Sequence, residues 1–168
     1  GVHYFTGQVL NMKAISEAAH EVEAYAGFDL AHATGNLKLA LHDWNVDFAA
    51  WCSYKYLNGG PGTVGGAFIN ERHTRNPHLP RFAGWWGHAS PFAFDIEYRP
   101  APGIIRNQCG TQPILSLAAL DAALDIWDGV DMRAVEAKAH ELCALFIDLA
   151  EARCVRHGLR LAGPRAMA

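Results

Sequence analysis

Two short stretches carry residue types that could do chemistry together: Asp29-Leu30-Ala31-His32 and, further along, Ser53-Tyr54-Lys55-Tyr56. The first closes the apolar run AYAGFDL and the second closes VDFAAWCSY, both of strand length. A carboxylate at the carboxyl end of a buried strand stands where open α/β sheets bind ligands. A lysine at the end of a neighbouring strand, followed by glycines, is similarly placed. An ammonium and a carboxylate around one small aromatic cofactor is the arrangement that pyridoxal phosphate requires. The lysine bonds the aldehyde carbon, and the carboxylate keeps the pyridine nitrogen protonated so that the ring can accept electrons. Each residue also has a plainer reading. An Asp after a strand is often a turn or cap residue, a lone Lys is often a solvated charge, and a lone His is often structural. The glycines of NGGPG match neither GxGxxG nor the P-loop and could form a hairpin turn. On spacing alone both readings stay open.

The elements that must position these residues follow from periodicity. Met12, Ile15, Ala19 and Val22 recur at spacings of three and four, which predicts a helix over 12–24. The runs at 24–30, 46–54 and 67–70 predict three short strands, with the glycine-rich NGGPGTVGG between the last two. Helix and strand alternating in this way argue for an α/β domain with a largely parallel or mixed sheet. Residues 71–106 are rich in Pro, Gly, His and Trp without periodicity, an irregular stretch of a length that is uncommon without a task. Ile114, Leu117, Ala118, Leu120 and Leu124 share one apolar face, broken at Asp128-Gly129. A longer helix is predicted over 132–156, with Val135, Ala139, Leu142, Leu145, Phe146 and Leu149 on one stripe. Arg156-His157-Gly158 is a helix stop, and Leu159-Arg160-Leu161 could open a strand.

Composition narrows the classes. With 51% apolar and 18% charged residues in 168, the chain has the means to build a core. A formal net charge of −3 gives no argument for nucleic acid as a partner. The nine histidines are scattered and show no metal-ligand spacing, so no metal is expected. The four cysteines form no CxxC pair, and a reduced, cytoplasmic chain is the simpler reading. No apolar run approaches the roughly 20 residues needed to cross a bilayer. Both termini read like interrupted elements, an expectation of a fragment.

The residues around Asp29 and Lys55 go further. GFDLAHATGN, LHDWNVDFAAWCSYKYLNGGPGTVGGAFI, and the later RFAGWWGH and GTQPIL closely resemble the kynureninase family of fold-type I pyridoxal-phosphate enzymes. The string WCSYKYLN is the most specific, because the related cysteine desulfurases and class V aminotransferases usually carry His before the lysine, where this chain has Tyr54. The resemblance covers nearly the whole chain and fades in the final ten or so residues.

What the resemblance implies can be placed residue by residue. Lys55 would carry the cofactor, Asp29 would pair with its pyridine nitrogen, and His32 would support the ring or its neighbouring groups. Tyr54 would donate its hydroxyl to the cofactor phosphate and could also relay protons. Trp85 and Thr111 would reach the phosphate from the partner subunit of a homodimer. Residues 1–112 would form the second half of a cofactor-binding large domain, and 113–168 the linking helix and start of a small domain. The activity implied is hydrolysis of L-kynurenine, or its 3-hydroxy form, to anthranilate (or 3-hydroxyanthranilate) and L-alanine, in tryptophan catabolism or NAD biosynthesis. The phosphate-cradling helix, the aromatic stacked on the ring and the arginine that grips the substrate carboxylate would all lie outside this chain. Another class V enzyme and a non-enzymatic scaffold are the rival readings.

Overall fold

The computed structural model describes residues 1–76 and 78–165. Helix α1, Met12–Glu21, begins where the Asn11 side chain accepts a hydrogen bond from the Ala14 N–H at 3.0 Å. This ties down one of the free amides of the first turn. Its inward row is Met12 and Ser16, with Ala19 half-buried, and the Ser16 hydroxyl returns its proton to the Met12 carbonyl at 2.8 Å. Ile15 and Val22, expected on the buried stripe, are exposed. The helix stops at Glu21, before Val22 could turn inward.

Three strands form one sheet in the order β1 (Gly27–Asp29), β2 (Phe48–Trp51), β3 (Gly66–Ile69). β1 and β2 run parallel with Asp29 opposite Ala50, while β3 returns antiparallel to β2. The fold is therefore mixed α/β, as the alternation of elements predicts. The strands are shorter than the apolar runs that contain them. Phe28 and Ala49 point into a core with Met12, Leu30, Leu37 and Val46. Gly27, Asp29, Phe48 and Ala50 point the other way and are exposed. The sheet is thus covered on one face and open on the other, where parallel sheets usually carry a second layer.

Past α2 (Glu71–Thr74) the chain runs through short 3-10 turns, including Trp85–Gly87 and Gly103–Asn107, in keeping with the expected irregular stretch. The segment is pinned by the Ala101 N–H donating to the Gly87 carbonyl at 2.8 Å and by Ala89 N–H to Arg99 at 2.7 Å. Helix α3, Ile114–Leu124, follows Pro113, and α4, Met132–Cys154, starts at Asp131, whose carboxylate accepts from Arg133 N–H at 2.9 Å. Gly158, at φ 82°, supplies the left-handed residue that ends the helical run. Leu159-Arg160-Leu161 does not form a strand. Among the described residues no strand lies beside it, and an unpaired strand has nothing to satisfy its amides.

Candidate active site

Because β1 and β2 are parallel, their carboxyl ends lie at the same edge of the sheet, and the chain leaves both toward the same space. Leu30 N–H donates to the Ala50 carbonyl at 2.8 Å, which extends the pairing one residue past Asp29. From there the 31–36 turn carries His32, and the segment after β2 carries Tyr54 and Lys55. Asp29, Tyr54 and Lys55 line one open cleft of about 650 Å³, floored by Gly27, Phe48 and Ala50 on the uncovered sheet face.

The side chains are fixed by local contacts. Asp29 accepts the Ala31 N–H on Oδ1 at 2.7 Å, which closes an Asx turn. Its carboxylate thus has both the turn role expected of such an Asp and a place at the cleft. Lys55 Nζ lies 2.9 Å from His32 Nε2 and 5.8 Å from the centre of the Tyr54 ring. The His32 ring meets Tyr56 edge-on, with centroids 6.4 Å apart. Tyr54 is itself exposed, its hydroxyl available to the cleft. Beside it Ser53 is fully buried, and its Oγ has no hydrogen-bond partner in the described structure. The 53–59 turn is closed by Gly59 N–H to the Ser53 carbonyl at 2.9 Å.

An amine, a carboxylate and a phenol on one cleft are the donor set a pyridoxal ring needs. The amine suits an aldehyde, the carboxylate a protonated ring nitrogen and the phenol a phosphate oxygen. The Ser53 hydroxyl between Cys52 and Tyr54 is buried without a partner and does not line the cleft. The residues present fit that group.

Trp85 and Thr111 do not line this cleft. Trp85 stacks on Trp86, with centroids 5.0 Å apart and planes 2° apart, and edges against Phe92. Thr111 is exposed in the extended segment before α3. Within one chain, four of the six expected site residues, Asp29, His32, Tyr54 and Lys55, come together and these two stand apart. No cluster of three metal-ligating side chains occurs among the described residues.

Sequence reasoning missed a buried carboxylate that ties several elements together. Asp47, the residue before β2, is buried, and its carboxylate accepts from His20 Nε2 at 2.8 Å, Ala26 N–H at 2.6 Å and the Arg72 guanidinium. His73 Nε2 stands 2.5 Å from Oδ1, the oxygen that Arg72 also reaches, while His20 and Ala26 share Oδ2. Burial opposes its ionisation. The hydrogen bonds from Arg72, then His20, Ala26 and His73, outweigh that and hold the carboxyl well below the usual carboxylate range. One signal was available: an Asp inside the otherwise apolar VDFAAW, with Arg72-His73 following the next strand.

Comparison with known proteins adds the following. Residues 2–157 match the family model described as aminotransferase class-V. A kynureninase from Flavobacterium psychrophilum is 51% identical over 146 residues, spanning 86% of this chain and 34% of that protein. The chain therefore covers about a third of the length of that curated relative. Among solved structures, the apo cysteine desulfurase of Thermococcus onnurineus NA1 superimposes with a TM-score of 0.76 at 19% identity, over 98% of this chain and 39% of its own. A C-DES mutant with glycine covalently linked to the PLP cofactor gives 0.68 at 23% identity, over 89% and 39%. At these identities the solved structures speak to the fold, which is that of fold-type I enzymes.

Proposed function

The chain belongs to the aminotransferase class-V family, and on that footing we propose that it carries the cofactor-lysine region of a kynureninase. The observation behind this reading is the meeting of Lys55, Tyr54 and Asp29 on one cleft, in a chain half identical to a protein of that name. The reaction proposed is hydrolysis of L-kynurenine or 3-hydroxy-L-kynurenine to anthranilate or its 3-hydroxy form and L-alanine. It would serve tryptophan catabolism or NAD biosynthesis in the cytoplasm.

Pyridoxal 5'-phosphate, when bound, supplies an electron sink for charge developing at the substrate Cα. The chain's own residues do the rest. Lys55 Nζ holds the cofactor and is the group placed to carry a proton at Cα. The Asp29 carboxylate, fixed by Ala31 N–H, would keep a positive charge on the ring nitrogen. The Tyr54 hydroxyl would donate to the phosphate and could relay protons, and His32, 2.9 Å from Lys55 Nζ, would orient the lysine from the side. Trp85 and Thr111 serve the site of a second copy in a homodimer, in accord with their distance from the cleft of their own chain. Residues 1–112 belong to the large domain and 113–168 open the small one.

The test uses the full-length protein. It should be yellow as isolated, lose that absorbance on borohydride treatment, and be colourless as Lys55→Ala. Added kynurenine should give anthranilate fluorescence. Sulfur release from cysteine without that fluorescence would replace this reading with a desulfurase.

A further inference from the structure

The NGGPG stretch that follows Lys55 has no task in the proposed reaction. It opens with Asn58-Gly59, the one Asn-Gly pair among the seven asparagines of the chain. The turn itself calls for this pair. Position 58 is left-handed, at φ 60°, a conformation that asparagine tolerates better than most residues with a side chain. Position 59 is crowded: a Cβ there would meet Thr63 Oγ1 at 2.9 Å and the Ser53 carbonyl oxygen at 3.1 Å. Asn58 is exposed, and Gly59 is buried.

An asparagine followed by glycine has a reaction of its own. The Gly59 amide nitrogen, once it gives its proton to base, can bond to the Asn58 side-chain carbonyl carbon. The bond from that carbon to Nδ2 breaks, and the nitrogen leaves as ammonia. Water then opens the five-membered imide at either carbonyl, leaving aspartate or isoaspartate at position 58. One water is consumed and one ammonia released, with no oxidant or cofactor involved. In the folded chain, however, the attacking nitrogen is engaged. Gly59 N–H donates to the Ser53 carbonyl at 2.9 Å, and Thr63 Oγ1 donates to the Gly60 carbonyl at 2.9 Å, closing the turn that follows.

We propose that Asn58 is a latent deamidation site gated by the bond from Gly59 to Ser53. The closed turn withholds the nitrogen, and each local opening, which needs no global unfolding, exposes it. Conversion places a negative charge three residues after Lys55. Isoaspartate also routes the main chain through one extra carbon, so the Gly59 amide no longer falls opposite the Ser53 carbonyl.

The experiment incubates the full-length protein and a synthetic peptide of residues 51–64 in mildly alkaline buffer. Conversion at Asn58 is followed by peptide mass spectrometry together with an isoaspartate assay. The peptide has no closed turn and sets the free rate. The folded protein should convert about tenfold more slowly, the factor that corresponds to one net backbone hydrogen bond. Hydrogen exchange at the Gly59 amide should be slowed by a similar factor, which tests the gate without any substitution. Thr63→Ala removes the neighbouring bond, leaves the reacting pair intact and should move the folded rate toward that of the peptide. Asn58→Gly keeps a left-handed residue, has no side-chain amide to lose and should show no change of mass at this position. Conversion of the folded protein at the peptide's rate, or fast conversion beside a well-protected Gly59 amide, would overturn the gate. No conversion in either the unmodified protein or Thr63→Ala while the peptide reacts to completion would show that the site is closed rather than latent.

Discussion

The carboxylate of Asp47 lies at the opposite end of β2 from Lys55, bridging α1 through His20, the start of β1 through Ala26, and α2 through Arg72 and His73. Breaking a buried ion pair by removing one partner leaves the other charge uncompensated, at a cost of about 3 kcal/mol. Asp47→Asn in the full-length protein should therefore lose about that much at pH 7 by denaturant unfolding. The pH dependence follows from the depressed folded-state pKa. The unfolded carboxyl titrates near its ordinary value of about 4. Stabilisation is therefore complete above that pH and is lost as pH falls below it toward the folded value. The gap between the two proteins should be widest at neutral pH and shrink below about pH 4. A gap that is unchanged down to pH 3 would show that the carboxylate's charge is not what holds the elements together. Little of this was legible in sequence beyond an Asp inside an apolar run, because the bonds to Asp47 span 21 to 27 residues and come from three separate segments. The chemistry at Lys55 was legible, because its specificity lies in adjacent letters, SYKYLN, rather than in long-range contacts.

Elements were read from sequence to the extent that local signals mark their ends. Asn11 and Asp131 cap α1 and α4, and Asp128-Gly129 separates the last two helices where expected. The strands were overread, because an apolar run says what is buried and not which residues pair. In AYAGFDL only Gly27–Asp29 enters the sheet, and the Ala26 amide goes to the Asp47 side chain instead. The loops around the lysine depend on features that periodicity does not report. Gly35, at φ 81°, packs against the backbone after Lys55, and a Cβ there would meet the Tyr56 carbonyl carbon at 3.0 Å and its oxygen at 3.1 Å. Gly60 has nearly the same φ, 80°, with nothing within 4 Å. Alanine at either position pays about 1 kcal/mol for the left-handed backbone. Gly35→Ala must in addition displace the turn that carries the lysine. In the full-length protein Gly35→Ala should lose more thermal stability than Gly60→Ala, and only Gly35→Ala should weaken cofactor binding in an absorbance titration, by about tenfold. Equal affinities would mean that the 33–36 turn does not set the position of Lys55.

At the scale of the whole molecule, apolar surface is distributed very unevenly. The first seventy or so residues enclose a core around Leu30, Val46 and Ala49, whereas α4 buries no residue at all. Leu142, Leu145, Phe146 and Leu149 on its stripe are 42% to 72% exposed, and Ile114 and Leu115 at the start of α3 are more open still. The stripe expected from sequence is present on α4, and here it is exposed. The chain matches about a third of the length of the kynureninase from Flavobacterium psychrophilum. The face of β1 and β2 that floors the cleft is uncovered as well. Produced by itself, the 168-residue chain should bind a hydrophobic dye, self-associate in gel filtration, take up pyridoxal phosphate weakly and turn over no kynurenine. Leu145→Glu with Phe146→Glu should make it more monodisperse, since the stripe then repels its own copies. Placed in the full-length protein, the same pair should lower the melting temperature if the stripe packs against another element there. A monodisperse isolated chain without dye binding, or a full-length protein indifferent to the two glutamates, would show that α4 is a true outer surface.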